Sequence, residues 1–194
     1  MNVFENGYYF SEELLEFGFK AVGENVKIAK NCTIIGPENI SIGDNVQIDG
    51  GVYIIAASGF LKLGNYIHVS ARCYFSCSGG IVVENYCGLA AGVTIYSSSD
   101  DYTGEHLTNP TVPQEFRKLC PELVTLGEHV IIGTGTAILP GSNIGRGCSV
   151  GAMSLVTRDL EEWGVYFGSP AKRIKHRKKH LLKIMASIKS TLRK

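Results

Sequence analysis

The stretch around residue 100 concentrates groups that can bind a cation or move a proton. Asp100 and Asp101 are adjacent carboxylates, Glu105 adds a third, and His106 follows it directly. Tyr102 and Asn109 place a phenol and a carboxamide on the same stretch. An imidazole takes up a proton near neutral pH, whereas a carboxylate is a weaker base that also attracts positive charge. Asp100, Asp101 and His106 are therefore the catalytic candidates, with Tyr102, Glu105 and Asn109 as substrate contacts. The other histidines are scattered. His68 and His129 fall in the regular part of the chain, and His129, at a turn, is expected to face solvent. His176 and His180 are spaced i, i+4 without a third ligand nearby, so no metal is expected.

The elements that must position these residues are legible as a repeat. Aliphatic or aromatic residues recur every six positions in runs of three: Val22, Ile28, Ile34; Ile42, Ile48, Ile54; Leu63, Val69, Phe75; Val83, Leu89, Ile95; Leu126, Ile132, Ile138; and Ile144, Val150, Val156. Four positions after most anchors stands a smaller side chain, among them Val26, Cys32, Val46, Val52, Cys73, Cys87, Val130, Thr136, Ser142, Cys148 and Ser154. Six residues make one short strand and one turn, and three such units make a coil with three flat faces. Anchor and small residue both point inward, where successive coils stack them in columns. Gly or Asn at the corners supplies the unusual φ that sharp turns need. Two- or three-residue additions are read at Ile40-Ser41, Phe60-Leu61-Lys62 and Ile81-Val82. Cys32, Cys73, Cys87 and Cys148 occupy the small inward slot and are read as core fillers. Cys77 and Cys120 lie outside it.

The expected organisation is an N-terminal helical cap over 1–21, a β-helix of about six coils over 22–171, and a basic C-terminal helix over 172–194. Ser11 is the expected N-cap of a helix over 11–17. Ile174, Leu181, Leu182, Ile184, Met185, Ile188 and Leu192 are expected to form the apolar stripe of the last helix. All 18 acidic residues lie in 1–162, which carries a net −9, while the last 32 residues carry +10. Such a tail suits an anionic partner, either cofactor phosphates, acidic lipid or an acidic neighbouring subunit, or else a solvated face. No nucleic-acid partner is expected. MNVFENGYYF lacks the features of a signal peptide, and no apolar run is long enough to span a membrane, so a cytoplasmic location with reduced cysteines is expected.

The repeat is interrupted once, by about 25 extra residues over 101–125. Loops of that length in a compact repeat are usually functional. A flat-sided prism has no deep pocket of its own, so a homotrimer with sites between subunits is expected, each loop walling a cleft against its neighbour.

The six-residue period over 22–174 resembles the hexapeptide-repeat family, which implies an all-β fold, the left-handed parallel β-helix. GVTIYSSSDDY, the loop, VTLGEHVIIGTGTAILPGSNIGRGCSVGAMSLVTRDL and GSPAKRI together resemble the galactoside, maltose and O-antigen sugar acetyltransferases. The resemblance implies acetyl-CoA as acyl donor and direct transfer in a ternary complex. It also implies that GSPAKRI, residues 168–174, holds the nucleotide end of that donor; the small residues Gly133, Thr134, Gly135, Ala152 and Ser154 would let its pantetheine lie flat against backbone amides, with Arg158, Lys172 and Arg173 the nearest phosphate partners in sequence. Where many of the O-acetyltransferases carry a His, this chain has Asp100. A hydroxyl needs a good proton acceptor as it attacks a thioester, whereas a neutral amine is already a nucleophile. The departure therefore favours an amino sugar, and TNPTVP over 108–113 resembles the O-antigen cluster enzymes that act on nucleotide-linked sugars; together they imply the amino group of a nucleotide-linked amino-deoxy sugar for cell-surface polysaccharide, such as O-antigen. The alternatives are sugar O-acetylation with His106 as base and a non-catalytic trimeric scaffold.

Overall fold

The structure, a computed structural model, describes residues 7–191, with side chains described to residue 186. Short parallel strands wind into six complete coils with three faces. The first face runs from Ala21–Val22 to Asn143–Ile144, and the third from Thr33–Ile35 to Leu155–Val156. The second starts at Lys27–Ala29 and reaches Gly164–Phe167, part of an incomplete seventh coil in which Leu160 also bridges Ile144.

The two inward registers make the core. Every anchor is buried except Val22 and Ile34 of the first coil, which pack against the core partly exposed. Every small-slot residue is buried except Cys32. Burial pushes the thiols of Cys73, Cys77 and Cys87 up, to about 11, 12 and 12, so these cysteines stay protonated and serve as packing.

The additions lie elsewhere than expected. Ile40, Leu61 and Ile81 are fully buried on first-face strands, in the slot that Ser142 fills later. The extra residues form the preceding corner, as in the 3₁₀ turn Pro37–Asn39. That widened corner buries an additional column, Ala56, Cys77 and Ser97, so Cys77 belongs to the core after all.

Corner chemistry explains the recurrent Asp and Asn. The side-chain oxygens of Asp44, Asn65 and Asn85 accept hydrogen bonds from the backbone of Glu24, Asp44 and Asn65, coil upon coil. Tyr66 and Tyr86, which follow Asn65 and Asn85, and His129 at the same corner after Glu128 adopt left-handed φ of 58°, 61° and 63°. Side chains rarely take that conformation, and here ring stacking at 4.9 and 5.2 Å offsets its cost. His129 is therefore buried rather than solvent-facing.

Both ends of the second face are closed by antiparallel strands, which protect its edges. Tyr8–Phe10 pairs with Lys27–Ala29, and Lys172–His176 pairs with Gly164–Phe167. Residues 172–176 are thus strand and not helix: the last coil's edge offers them a hydrogen-bonding partner. Among the described residues the C-terminal helix covers Leu181–Thr191. The side chain of Ile188 and the whole of Leu192 lie outside what is described, as do residues 1–6 of the expected cap. Arg177 fastens the segment between strand and helix, its Nη1 donating to the carbonyls of His129, Gly147 and Cys148 at 2.7–3.2 Å.

At the other end, helix Ser11–Glu16 plugs the first coil with buried Leu14. Its N-cap is Phe10, whose amide donates to Glu13. Ser11 is instead spent on the coil: its hydroxyl donates to Gly23 O and accepts from the Val26 amide. Among the described residues no helix is long and apolar enough to cross a membrane.

Candidate active site

The inserted loop rises from the fourth coil on a short antiparallel stem, Ser98–Asp100 against Leu119–Pro121. Val124 and Thr125, expected in the loop, already belong to a first-face strand. Beyond the stem, Asp101 organises the chain. Its carboxylate accepts from the amide and hydroxyl of Thr103 at 2.7 and 2.6 Å. It also accepts from the amide and Nδ1 of His106 at 2.9 and 3.1 Å. Only 8% of Asp101 is exposed. The Thr103 hydroxyl and amide, followed by His106, hold the carboxyl far below the usual carboxylate range. With four hydrogen bonds accepted from two neighbouring residues, Asp101 is the clasp of the loop. The bond to Asp101 gives His106 its proton on Nδ1 and leaves the lone pair on Nε2.

Asp100 stands differently. Together with Tyr96, Ser98, Ser99, Tyr102, Leu139 and Pro140 it lines a cleft of about 530 Å³ where the loop leaves the prism. Tyr102 is 93% exposed, a free aromatic surface at the rim. The structure thus brings Asp100 and Tyr102 together. Glu105, His106 and Asn109 do not line that cleft, but the Asn109 amide donates to Asp100 at 3.4 Å while its carboxamide accepts from Thr111 in a local turn.

A second groove, about 670 Å³, runs along the second face. Gly133 and Thr134 line it, with His68, Ser70, Gly88, Ala90 and Ala91. Gly88 creates part of the space, since a Cβ there would meet nothing within 4 Å. Gly135 and exposed Ala152 lie at the adjoining corner, where the Met153 side chain covers Gly135. Ser154 is withdrawn from this set. It points inward, its hydroxyl donating to Gly151 O and accepting from the Gly168 amide. Arg158 and Lys172 are exposed. Arg173 is already engaged, with Glu161 at 2.8 Å and His176 Nδ1 at 2.8 Å.

His68 was passed over in the sequence. It belongs to a network spanning three strands: Asp49 accepts from His68 Nε2 at 2.8 Å, from Gln47 at 2.7 Å and from the Tyr8 hydroxyl at 3.4 Å. Burial pushes the Asp49 carboxyl up, but the bonds from Gln47, His68 and Tyr8 outweigh it and leave the group below the usual range. The readable signal was the run of small outward residues, Ser70, Gly88, Ala90 and Ala91, beside a histidine. Among the described residues no group of three or more His, Cys, Asp or Glu could hold a metal ion.

No protein-family profile matches the chain. It is 39% identical over 177 residues to dTDP-4-amino-4,6-dideoxy-D-glucose acyltransferase from Escherichia coli, covering 91% of this chain and 92% of the relative. It superimposes with a TM-score of 0.91 and 35% identity on AntD, an N-acyltransferase from Bacillus cereus, in complex with dTDP and 3-hydroxybutyryl-CoA. That match covers 97% of this chain and all of AntD (100%). A variant of AntD in complex with dTDP-4-amino-4,6-dideoxyglucose and Coenzyme A gives 0.90 and 36%, covering 96% of this chain and 99% of that one. Likeness of that extent in both sequence and coil architecture places the chain in the family of left-handed β-helix, acyl-CoA-dependent N-acyltransferases of nucleotide-linked amino sugars.

Proposed function

We propose that the protein transfers an acetyl group from acetyl-CoA to the 4-amino group of a dTDP-linked 4-amino-4,6-dideoxy sugar. It does so in the cytoplasm as a homotrimer, and the product serves cell-surface polysaccharide synthesis. The observation that carries the acceptor is Asp100, a carboxylate lining the cleft where the resembling O-acetyltransferases carry a histidine. Its charge attracts and orients a sugar ammonium. Tyr96 and Tyr102 offer rings to a nucleobase. The substrates named for the E. coli and B. cereus relatives have this same chemistry.

The donor lies along Gly133, Thr134, Gly135 and Ala152, where small side chains let a pantetheine approach the backbone, with Arg158, Lys172 and Arg173 towards its phosphates. Trimerisation is supported by the flat faces and the single protruding loop. Groove and cleft lie on different parts of one chain, so a neighbouring copy is needed to complete each site.

The test is incubation of the protein with dTDP-4-amino-4,6-dideoxyglucose and either acetyl-CoA or 3-hydroxybutyryl-CoA, following thiol release and product mass. An N-acetylated nucleotide sugar is expected, with acetyl-CoA the better donor. Preference for the longer donor would overturn the acetyl assignment alone. Turnover of free hydroxyl sugars in place of the amino sugar would favour the O-acetylation reading, for which the Asp101–His106 pair is the specific observation.

A further inference from the structure

We infer that His68 is the proton acceptor of the acyl transfer, with Asp49 as its positioning residue. This rests on the N-acyl transfer proposed above. Asp49 is ionised and can only accept, so neutral His68 carries its proton on Nε2 and presents the lone pair on Nδ1. Gln47 and Tyr8, from two other strands, hold Asp49 in turn, which fixes the ring's orientation. The His68 side chain is still 53% exposed and lines the larger groove. Its strand partner across the ladder is Gly88, so the ring has open space beside it instead of a side chain. Gly133 and Thr134, expected to hold the donor, line the same groove.

The chemistry needs such a group. The amine's lone pair forms the N–C bond, and the carbonyl π pair moves to oxygen. As the C–S bond breaks, the nitrogen still carries one surplus proton. His68 Nδ1 takes it and passes it to the departing thiolate, which leaves as CoA-SH. The sugar arrives as an ammonium drawn by Asp100 and gives up one proton to solvent before its lone pair attacks, and the oxyanion pair re-forms the carbonyl as the C–S bond breaks. An imidazole supported by a carboxylate is the better acceptor near neutral pH. The titratable groups linked to the pair are Tyr8, which donates to Asp49, Lys27, whose Nζ lies 5.2 Å from the Tyr8 ring centre, and the thiols of Cys32 and Cys73, which feel the Asp49 charge. Gly88, on the other side, contributes none.

The wild type is first shown to acylate the amino sugar; its inactivity would overturn the proposed function itself, apart from this inference. His68→Ala is then expected to lower kcat about 10²–10⁴-fold, with the KM for acyl-CoA within about threefold of wild type, and added imidazole is expected to restore turnover. Asp49→Asn removes a charge that stabilises the imidazolium, so the acid limb of the pH–rate profile moves to lower pH while kcat falls. Light scattering and thermal melts establish that both variants assemble as the wild type does. Full turnover by His68→Ala, a loss that imidazole does not repair, or an unmoved acid limb in Asp49→Asn would each overturn the assignment.

Discussion

Asp49 and His68 meet from neighbouring strands, 19 residues apart in sequence, whereas Asp101 and His106 meet within five residues of one loop. Both pairs are an aspartate on an imidazole nitrogen, at 2.8 and 3.1 Å. Their surroundings separate them. Asp49 draws its donors from three strands, so the coil stack fixes the ring against a groove. Asp101 draws all four donors from Thr103 and His106, so the same chemistry closes a turn. An Asp–His pair acquires a catalytic meaning from what holds the aspartate and what space lies beside the ring. The coil is a scaffold set by stacking, and the loop is a local structure built on its own stem and clasped by Asp101.

The sharpest way to break that contrast is to attack each scaffold at its own determinant. In the coils, Cys148→Trp is expected to abolish folding, because the slot is fully buried and the column above and below cannot move apart. Overpacking costs about 1–3 kcal/mol and sometimes more. Cys148→Ala is expected to melt close to wild type, as Ser142 and Ser154 fill equivalent slots. Equal melting of the two variants would show the inward register to be wrong.

In the loop, Asp101→Asn is expected to cut turnover about 10²-fold or more by releasing the wall of the cleft. The melting temperature should stay within about 2 °C, since the coils do not depend on the loop. Limited proteolysis should reveal new cleavage within 102–118. The pH dependence follows the same carboxylate. Its folded value is depressed, so its contribution to loop closure is full above the unfolded value of about 3.9 and is lost only as pH falls through the lower folded value. Wild-type loop protection should therefore persist at pH 4. Cleavage there at the rate seen for Asp101→Asn would contradict the clasp.

The coils were legible because stacking imposes one demand every six residues, and a hydrophobic anchor answers it whatever its neighbours do. The corner additions were misplaced because Ile40, Leu61 and Ile81 are as aliphatic as the anchors, and nothing in composition separates a strand residue from an extra one. Lys172–His176 read as helix because its stripe continues into Leu181 and Leu182, while the coil edge that captures it lies only in the folded structure. Asp100 and Asp101 were indistinguishable as letters. One lines a cleft and the other accepts four bonds, and only the path of the loop decides which. The groove was legible in part, through Gly133 and Thr134, but its first half needed the outward small residues to be read with the same care as the inward ones.

Two intermediate effects sharpen the division further. Asp100→Asn keeps the size and one acceptor oxygen but loses the charge that receives an ammonium. It is expected to lower kcat/KM for the amino sugar about tenfold to a hundredfold, less than Asp101→Asn because the loop stays closed. An effect confined to the acyl-CoA KM would remove Asp100 from the acceptor side. Lys172→Ala combined with Arg173→Ala is expected to raise the acyl-CoA KM about three- to tenfold and leave the sugar KM alone. The effect is bounded because Arg173 already pairs with Glu161. An unchanged donor KM would assign both charges to the terminal strand's own packing.

The smallest effect is expected at the residue that looks most catalytic by type. His106→Asn keeps a side chain able to donate to Asp101, and the backbone amide of residue 106 still donates to the same carboxylate. Both Thr103 bonds survive as well. The loop should therefore remain closed, and turnover of the amino sugar should fall less than about threefold, which is within the range of surface changes that remove no buried contact. If His106 were instead the base, its loss would remove a term of about 10²–10⁴. The wild-type rate would then fall as the imidazole protonates below about pH 6.5, and that limb would vanish in the variant. Measuring kcat against pH for wild type and His106→Asn separates the two cases. An acid limb that persists unchanged in His106→Asn belongs to another group, and the imidazole held on the coils by Asp49 is the one with a groove beside it.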